Sequence, residues 1–109
     1  MLGSLALLAF GASLLLPVSD RVPSFNVEPS CRAAAKMGES LDARLPQCLR
    51  DEQEARQKLE ADWLSYTAGI RQECIASTNA GGEPSYVELL ECMIMARDAK
   101  QIERSNRSN

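Results

Sequence analysis

Four cysteines, Cys31, Cys48, Cys74 and Cys92, are the residues of this chain with the most committed chemistry. Four thiolates can hold zinc if all four sulfurs gather at about 2.3 Å from one ion. The paired C-x2–4-C knuckles typical of such a site are absent. A thiol redox centre needs C-x-x-C or a comparable pair, also absent. There is no histidine, which removes the commonest general base and zinc nitrogen ligand. An even number of cysteines in a short chain with an apolar start points instead to two disulfides in an oxidising compartment.

The other candidate groups have simple structural explanations. Asp51, Glu52 and Glu54 form an acidic run, read as a solvated helix start favoured by the helix dipole. Met93 and Met95 are soft ligands in principle. Two apart on a helix, they point to different sides, and Met93 reads as packing filler. Trp63 and Tyr66 read as core residues rather than an aromatic binding face. Gly81-Gly82 followed by Glu83 reads as a turn. Asn106-Arg107-Ser108 matches a glycosylation sequon, to which no function is assigned. No nucleophile–base pair stands out. The expectation is therefore a protein that is not an enzyme, with no cofactor and no metal.

The element that must position these groups is the stretch from Gln47 to about Ser77. It contains one glycine, Gly69, and no proline. Cys48, Ala55, Leu59, Trp63, Tyr66, Ile70 and Cys74 recur at helical spacing, so one continuous helix is predicted. Glu52 is the single polar intrusion on that stripe. Glu52 with Arg56 and Glu54 with Lys58 are spaced as surface ion pairs, and Pro46 suits a first helical turn. At about 1.5 Å per residue, Cys48 and Cys74 would stand roughly 39 Å apart. A disulfide needs Cα atoms about 4.4–6.8 Å apart. That excludes a Cys48–Cys74 bond, and a Cys48–Cys92 bond would need the connecting turn fully stretched. Cys31–Cys48 and Cys74–Cys92 is the predicted pairing.

Around this helix the chain divides simply. Residues 1–19 read as a signal peptide or an uncleaved membrane anchor, of which 1–18 are almost wholly apolar. They lack a basic flank and a clean cleavage site. Residues 20–28 read as an extended linker. Pro29 to Met37 reads as a short helix ending at Gly38. Glu39 to Leu45 reads equally as a turn or as a helical lead-in with Leu41 and Leu45 facing the core. After a turn at 78–84, Ser85 and Glu88 form a capping box for a last helix from Tyr86 to about Ala99. Its apolar face is Tyr86, Leu89, Leu90, Met93, Ile94 and Ala96 or Arg97. Residues 100–109 are polar and expected to fray.

The predicted fold is thus all-α: a three-helix domain over 29–99 built on one long central helix, with a disulfide at each end. Lys plus Arg number 12 and Asp plus Glu 15, a net charge of −3 with no basic cluster, so nucleic acid is not an expected partner.

Three segments together resemble a known group. They are Val27-Glu28-Pro29-Ser30-Cys31-Arg32-Ala33-Ala34, the Cys48 to Arg56 stretch with Trp63 beyond it, and Gly81-Gly82-x-Pro84-Ser85-Tyr86-Val87-Glu88-Leu89-Leu90-x-Cys92. This pattern resembles small exported proteins of alphaproteobacteria of unknown function. The Cys31–Cys48 half is also similar to LprI-type lysozyme-inhibitor domains, without their aromatic-rich second half. The resemblance implies a periplasmic or secreted protein, or one held at the inner membrane through residues 1–18. It supplies no mechanism; with no catalytic constellation in the sequence, the leading expectation is an exported interaction module with a protein partner in the cell envelope. The alternative is an inhibitor of an envelope-directed hydrolase such as lysozyme, inserting a loop that includes Gly81, Gly82, Glu83 and Tyr86.

Overall fold

The computed structural model describes residues 20–36 and 41–108, of which 41–43 are described by their backbone. Every regular element among them is helical. Helix α1 spans Glu28–Lys36 and helix α2 spans Leu41–Asp62. A 3-10 turn follows at Trp63–Ser65, then helix α3 over Ala68–Ala80 and helix α4 over Tyr86–Ser108. The predicted signal or anchor segment, and the predicted stop of the first helix at Met37 and Gly38, lie outside the described residues.

Both disulfides pair as the spacing predicts. Cys31–Cys48 joins α1 to α2 with Cα atoms 5.5 Å apart. Cys74–Cys92 joins α3 to α4 at 5.6 Å.

The single long helix is corrected to two. Apart from Leu64, the run Asp62 to Thr67 consists of aromatic, β-branched and backbone-competing residues, weaker helix formers than Ala or Leu. The Ser65 hydroxyl donates to the Asp62 carbonyl at 2.6 Å. Tyr66 and Thr67 are extended, with ψ of 148° and 154°. The Thr67 hydroxyl then caps α3 by accepting from the Ile70 N–H at 3.3 Å. From α4, Arg97 lays its guanidinium 5.1 Å over the Tyr66 ring. Arg71 reaches back from α3 to donate to the Trp63 carbonyl at 3.4 Å. The roughly 39 Å separation argued for Cys48 and Cys74 assumed a straight rod, so that premise falls although the pairing stands.

The break leaves the apolar stripe intact. Ala55, Leu59, Trp63, Tyr66, Ile70 and Cys74 are all buried, because the turn preserves their three- and four-residue spacing. Against them α4 sets Tyr86, Leu89 and Met93. Helix α4 packs on both α2 and α3 and so spans the elbow between them.

Three smaller expectations are also revised. Residues 41–45 are helical, which resolves the ambiguous lead-in. Pro46 consequently sits past the first turn of α2, where its missing N–H removes one intrahelical bond. Leu45 is half-buried. Helix α4 continues through Ser108 rather than fraying after Ala99. No Gly or Pro interrupts 86–108, and Ala, Lys, Gln, Glu and Arg favour continuation. Finally, residues 20–27 are not a free linker. Val22, Phe25 and Val27 pack against the core as a strap.

Candidate functional site

The feature that most constrains this surface is the connection between α3 and α4. Ser85 precedes the first residue of α4, and its hydroxyl accepts from the Glu88 N–H at 3.2 Å. That is one half of the predicted capping box. The other half is rerouted. The Ser85 N–H donates to the Thr78 hydroxyl at 3.1 Å, rather than to the Glu88 carboxylate. The Thr78 hydroxyl in turn faces a Glu88 carboxylate oxygen at 3.3 Å and the Ser85 carbonyl at 3.4 Å. Thr78 thus relays the box through the end of α3.

Glu52 closes the arrangement from α2. It is 3% exposed, against the sequence expectation of a solvated helix start. One carboxylate oxygen accepts the Ser85 hydroxyl at 2.5 Å. The other accepts the Tyr86 N–H at 2.6 Å. A buried carboxylate is costly unless hydrogen-bonded. Here its donors are the first groups of α4, whose dipole also favours a negative charge. The predicted Glu52–Arg56 pair is therefore replaced. Arg56 turns to Glu60 at 3.4 Å and to the face of the Tyr86 ring, 5.4 Å away. No carboxylate lies within 4 Å of Lys58 among the described residues. Asp51 and Glu54 are exposed as expected.

A hydroxyl donating to a carboxylate resembles an activated nucleophile. Ser85 is not placed to act as one. It is 6% exposed, and its oxygen is occupied as donor to Glu52 and acceptor from Glu88. The pair is a structural clamp.

Tyr86 is likewise withdrawn from the predicted interaction loop. It is 3% exposed and belongs to the core. Its hydroxyl donates to the Pro23 carbonyl and accepts from the Phe25 N–H, each at 2.8 Å. The Phe25 ring lies against its ring with centroids 4.9 Å apart. Tyr86 is the post to which the strap is tied. The exposed tip contracts to Gly81, Gly82 and Glu83. Gly82 alone needs its residue type for conformation, with φ of +93°. The tip is held by the Cys74–Cys92 bond behind it and by Thr78, Ser85 and Glu52 at its base.

The remaining candidates separate cleanly. Trp63 and Tyr66 are buried at 3% and 4%. Met93 is fully buried and Met95 exposed, on opposite sides of α4. Among the described residues no cluster of carboxylates and cysteines could hold a metal ion. None of the described helices is long and apolar enough to cross a membrane.

Sequence reasoning missed Glu52 as a site residue, although a signal existed. A charged residue at a stripe position must be buried, and a buried carboxylate must find donors. The class that results is a small all-α domain with two disulfides and a clamped interhelical loop. The chain matches no family model, no curated protein and no solved structure.

Proposed function

We propose that this chain is an exported, non-enzymatic interaction module that presents the Gly81–Glu83 tip to a protein partner in the cell envelope. The observation that carries the reading is the clamp itself. A buried carboxylate, a threonine relay and a disulfide together hold a three-residue tip that is exposed throughout. A loop fixed before binding loses less entropy on binding. Two disulfides suit an oxidising, extracytoplasmic compartment. The apolar residues 1–18 serve in this reading as an export signal or inner-membrane anchor, and the likeness to small exported proteins agrees with it.

A photo-crosslinking side chain at Glu83 tests the reading, with one at exposed Lys58 as control. The expected result is a discrete envelope adduct from position 83 and none from 58. Equal labelling from both positions, or from neither, removes the tip as the recognition element.

A second reading is inhibition of an envelope-directed hydrolase such as lysozyme. The same rigid, exposed tip favours it, now with Glu83 as the group inserted into a cleft and Tyr86 as its support. Lysozyme activity measured with micromolar protein separates the two readings. Unchanged activity eliminates the inhibitor.

A further inference from the structure

The row of α4 that buries Tyr86, Leu89 and Met93 and half-buries Ala96 continues at helical spacing through Lys100, Arg104 and Arg107. The row thus changes from core-facing and apolar to exposed and cationic once α4 passes the elbow. Arg97 stands beside the row, placed by the Tyr66 ring. Arg97, Lys100 and Arg104 line a corner of about 190 Å³ with Tyr66, Thr67 and Ile70. Among the described residues, only Arg97 of these three has a carboxylate within 4 Å, Asp98 at 3.8 Å.

Three cations in one corner of a protein of net charge −3 repel one another. The start of α3, at the same corner, adds positive potential rather than relieving it. Thr67 occupies only the Ile70 N–H with its hydroxyl and the Arg71 N–H with its carbonyl. Gly69 leaves the first turn open, since a methyl group there would touch nothing within 4 Å. The Tyr66 ring accounts for the placement of Arg97, while Lys100 and Arg104 have no aromatic ring or carboxylate partner among the described residues.

We propose that this corner is a binding site for a phosphate-class oxyanion, either a free phosphate or the phosphate of an anionic lipid headgroup. A phosphate presents several acceptor oxygens around one centre and carries up to two negative charges. The Arg97 and Arg104 forks and the Lys100 ammonium match that demand for donors and charge. A single carboxylate would leave most of the charge uncompensated. The site lies at the elbow rather than at the Gly81–Glu83 tip, and it stands whether or not the tip recognises a partner.

The test titrates the oxidised, 15N-labelled full chain with inorganic phosphate at constant ionic strength, with chloride as control. The expected result is saturable shifts of the Arg97 and Arg104 Nε–H signals and of the Ala68 and Gly69 amides. Lys100 and Arg104 are exposed, so K100Q/R104Q keeps the wild-type thermal midpoint and binds at least about tenfold more weakly. A second arm measures retention on phosphatidylglycerol and phosphatidylcholine vesicles, residues 1–18 being common to both proteins. Preference for phosphatidylglycerol that K100Q/R104Q loses assigns the phosphate to a lipid headgroup. Saturable phosphate binding without that preference assigns it to a free anion. Shifts that chloride reproduces, that never saturate, or that K100Q/R104Q retains in full overturn the proposal when vesicle preference is also absent.

Discussion

The carboxylate of Glu52 meets the hydroxyl of Ser85 at 2.5 Å, across 33 residues of sequence. It joins the middle of α2 to the start of α4. With the Tyr86 N–H on its other oxygen, this one side chain anchors the last helix and orients the loop before it.

Glu52→Ala should destabilise the domain by about 2–4 kcal/mol, because it leaves two buried donors without their charged acceptor. Urea unfolding measures this. Asp51→Ala and Glu54→Ala, one exposed neighbour on each side, should stay within about 0.5 kcal/mol of the wild type. Equal effects at all three positions would show that the clamp is not what stabilises the loop.

Tyr86→Phe retains the ring and its packing but removes the hydroxyl shared by Pro23 and Phe25. The expected cost is about 1–2 kcal/mol. Its local consequence is more informative. The Phe25 amide should exchange faster, and trypsin should cut sooner after Arg21, which is exposed at the head of the strap. An unchanged Phe25 exchange rate would place the strap's attachment elsewhere.

The two disulfides close loops of almost equal length, 17 and 18 residues in separation. On the chain-entropy model each contributes roughly 3 kcal/mol. Their structural effects should differ. Cys31→Ser/Cys48→Ser should loosen α1, giving fast exchange there with α3 and α4 protected. Cys74→Ser/Cys92→Ser should lower protection throughout α3 and α4, since that bond lies against the main core. Hydrogen exchange on the two variants distinguishes these patterns.

Thr67→Ala removes the cap of α3 and should cost about 1 kcal/mol, read as a lower thermal midpoint. Trp63→Ala, at the other end of the elbow, should cost about 3–5 kcal/mol, because it empties a buried position on the continuous stripe. Similar losses for both would mean that the elbow is fixed by its cap as much as by its packing.

Much of the elbow was written locally, yet it was masked by a stronger pattern. Trp63, Tyr66, Ile70 and Cys74 keep helical spacing across the break, so periodicity alone reads one rod. The weak helix formers around Ser65 and Thr67 marked the break. They could decide it only with Arg71 holding the Trp63 carbonyl and Arg97 covering Tyr66. Neither contact is visible from spacing. The strap was hidden for a similar reason. Pro23-Ser24-Phe25 has no periodicity, and its partner is the hydroxyl of a residue more than sixty positions away.

Sequence alone determined the helical class and the buried stripe, and it named the cysteine pairing that forms although the straight-rod distance used to exclude the others does not hold. The class and the stripe follow from local spacing, because the helical period acts between near neighbours. Tertiary structure decided that Glu52 is buried, that the Tyr86 hydroxyl ties down the strap and that the cations of α4 gather at the elbow. Those outcomes depend on which donors and surfaces distant segments bring to a side chain. No interval along the chain encodes that meeting.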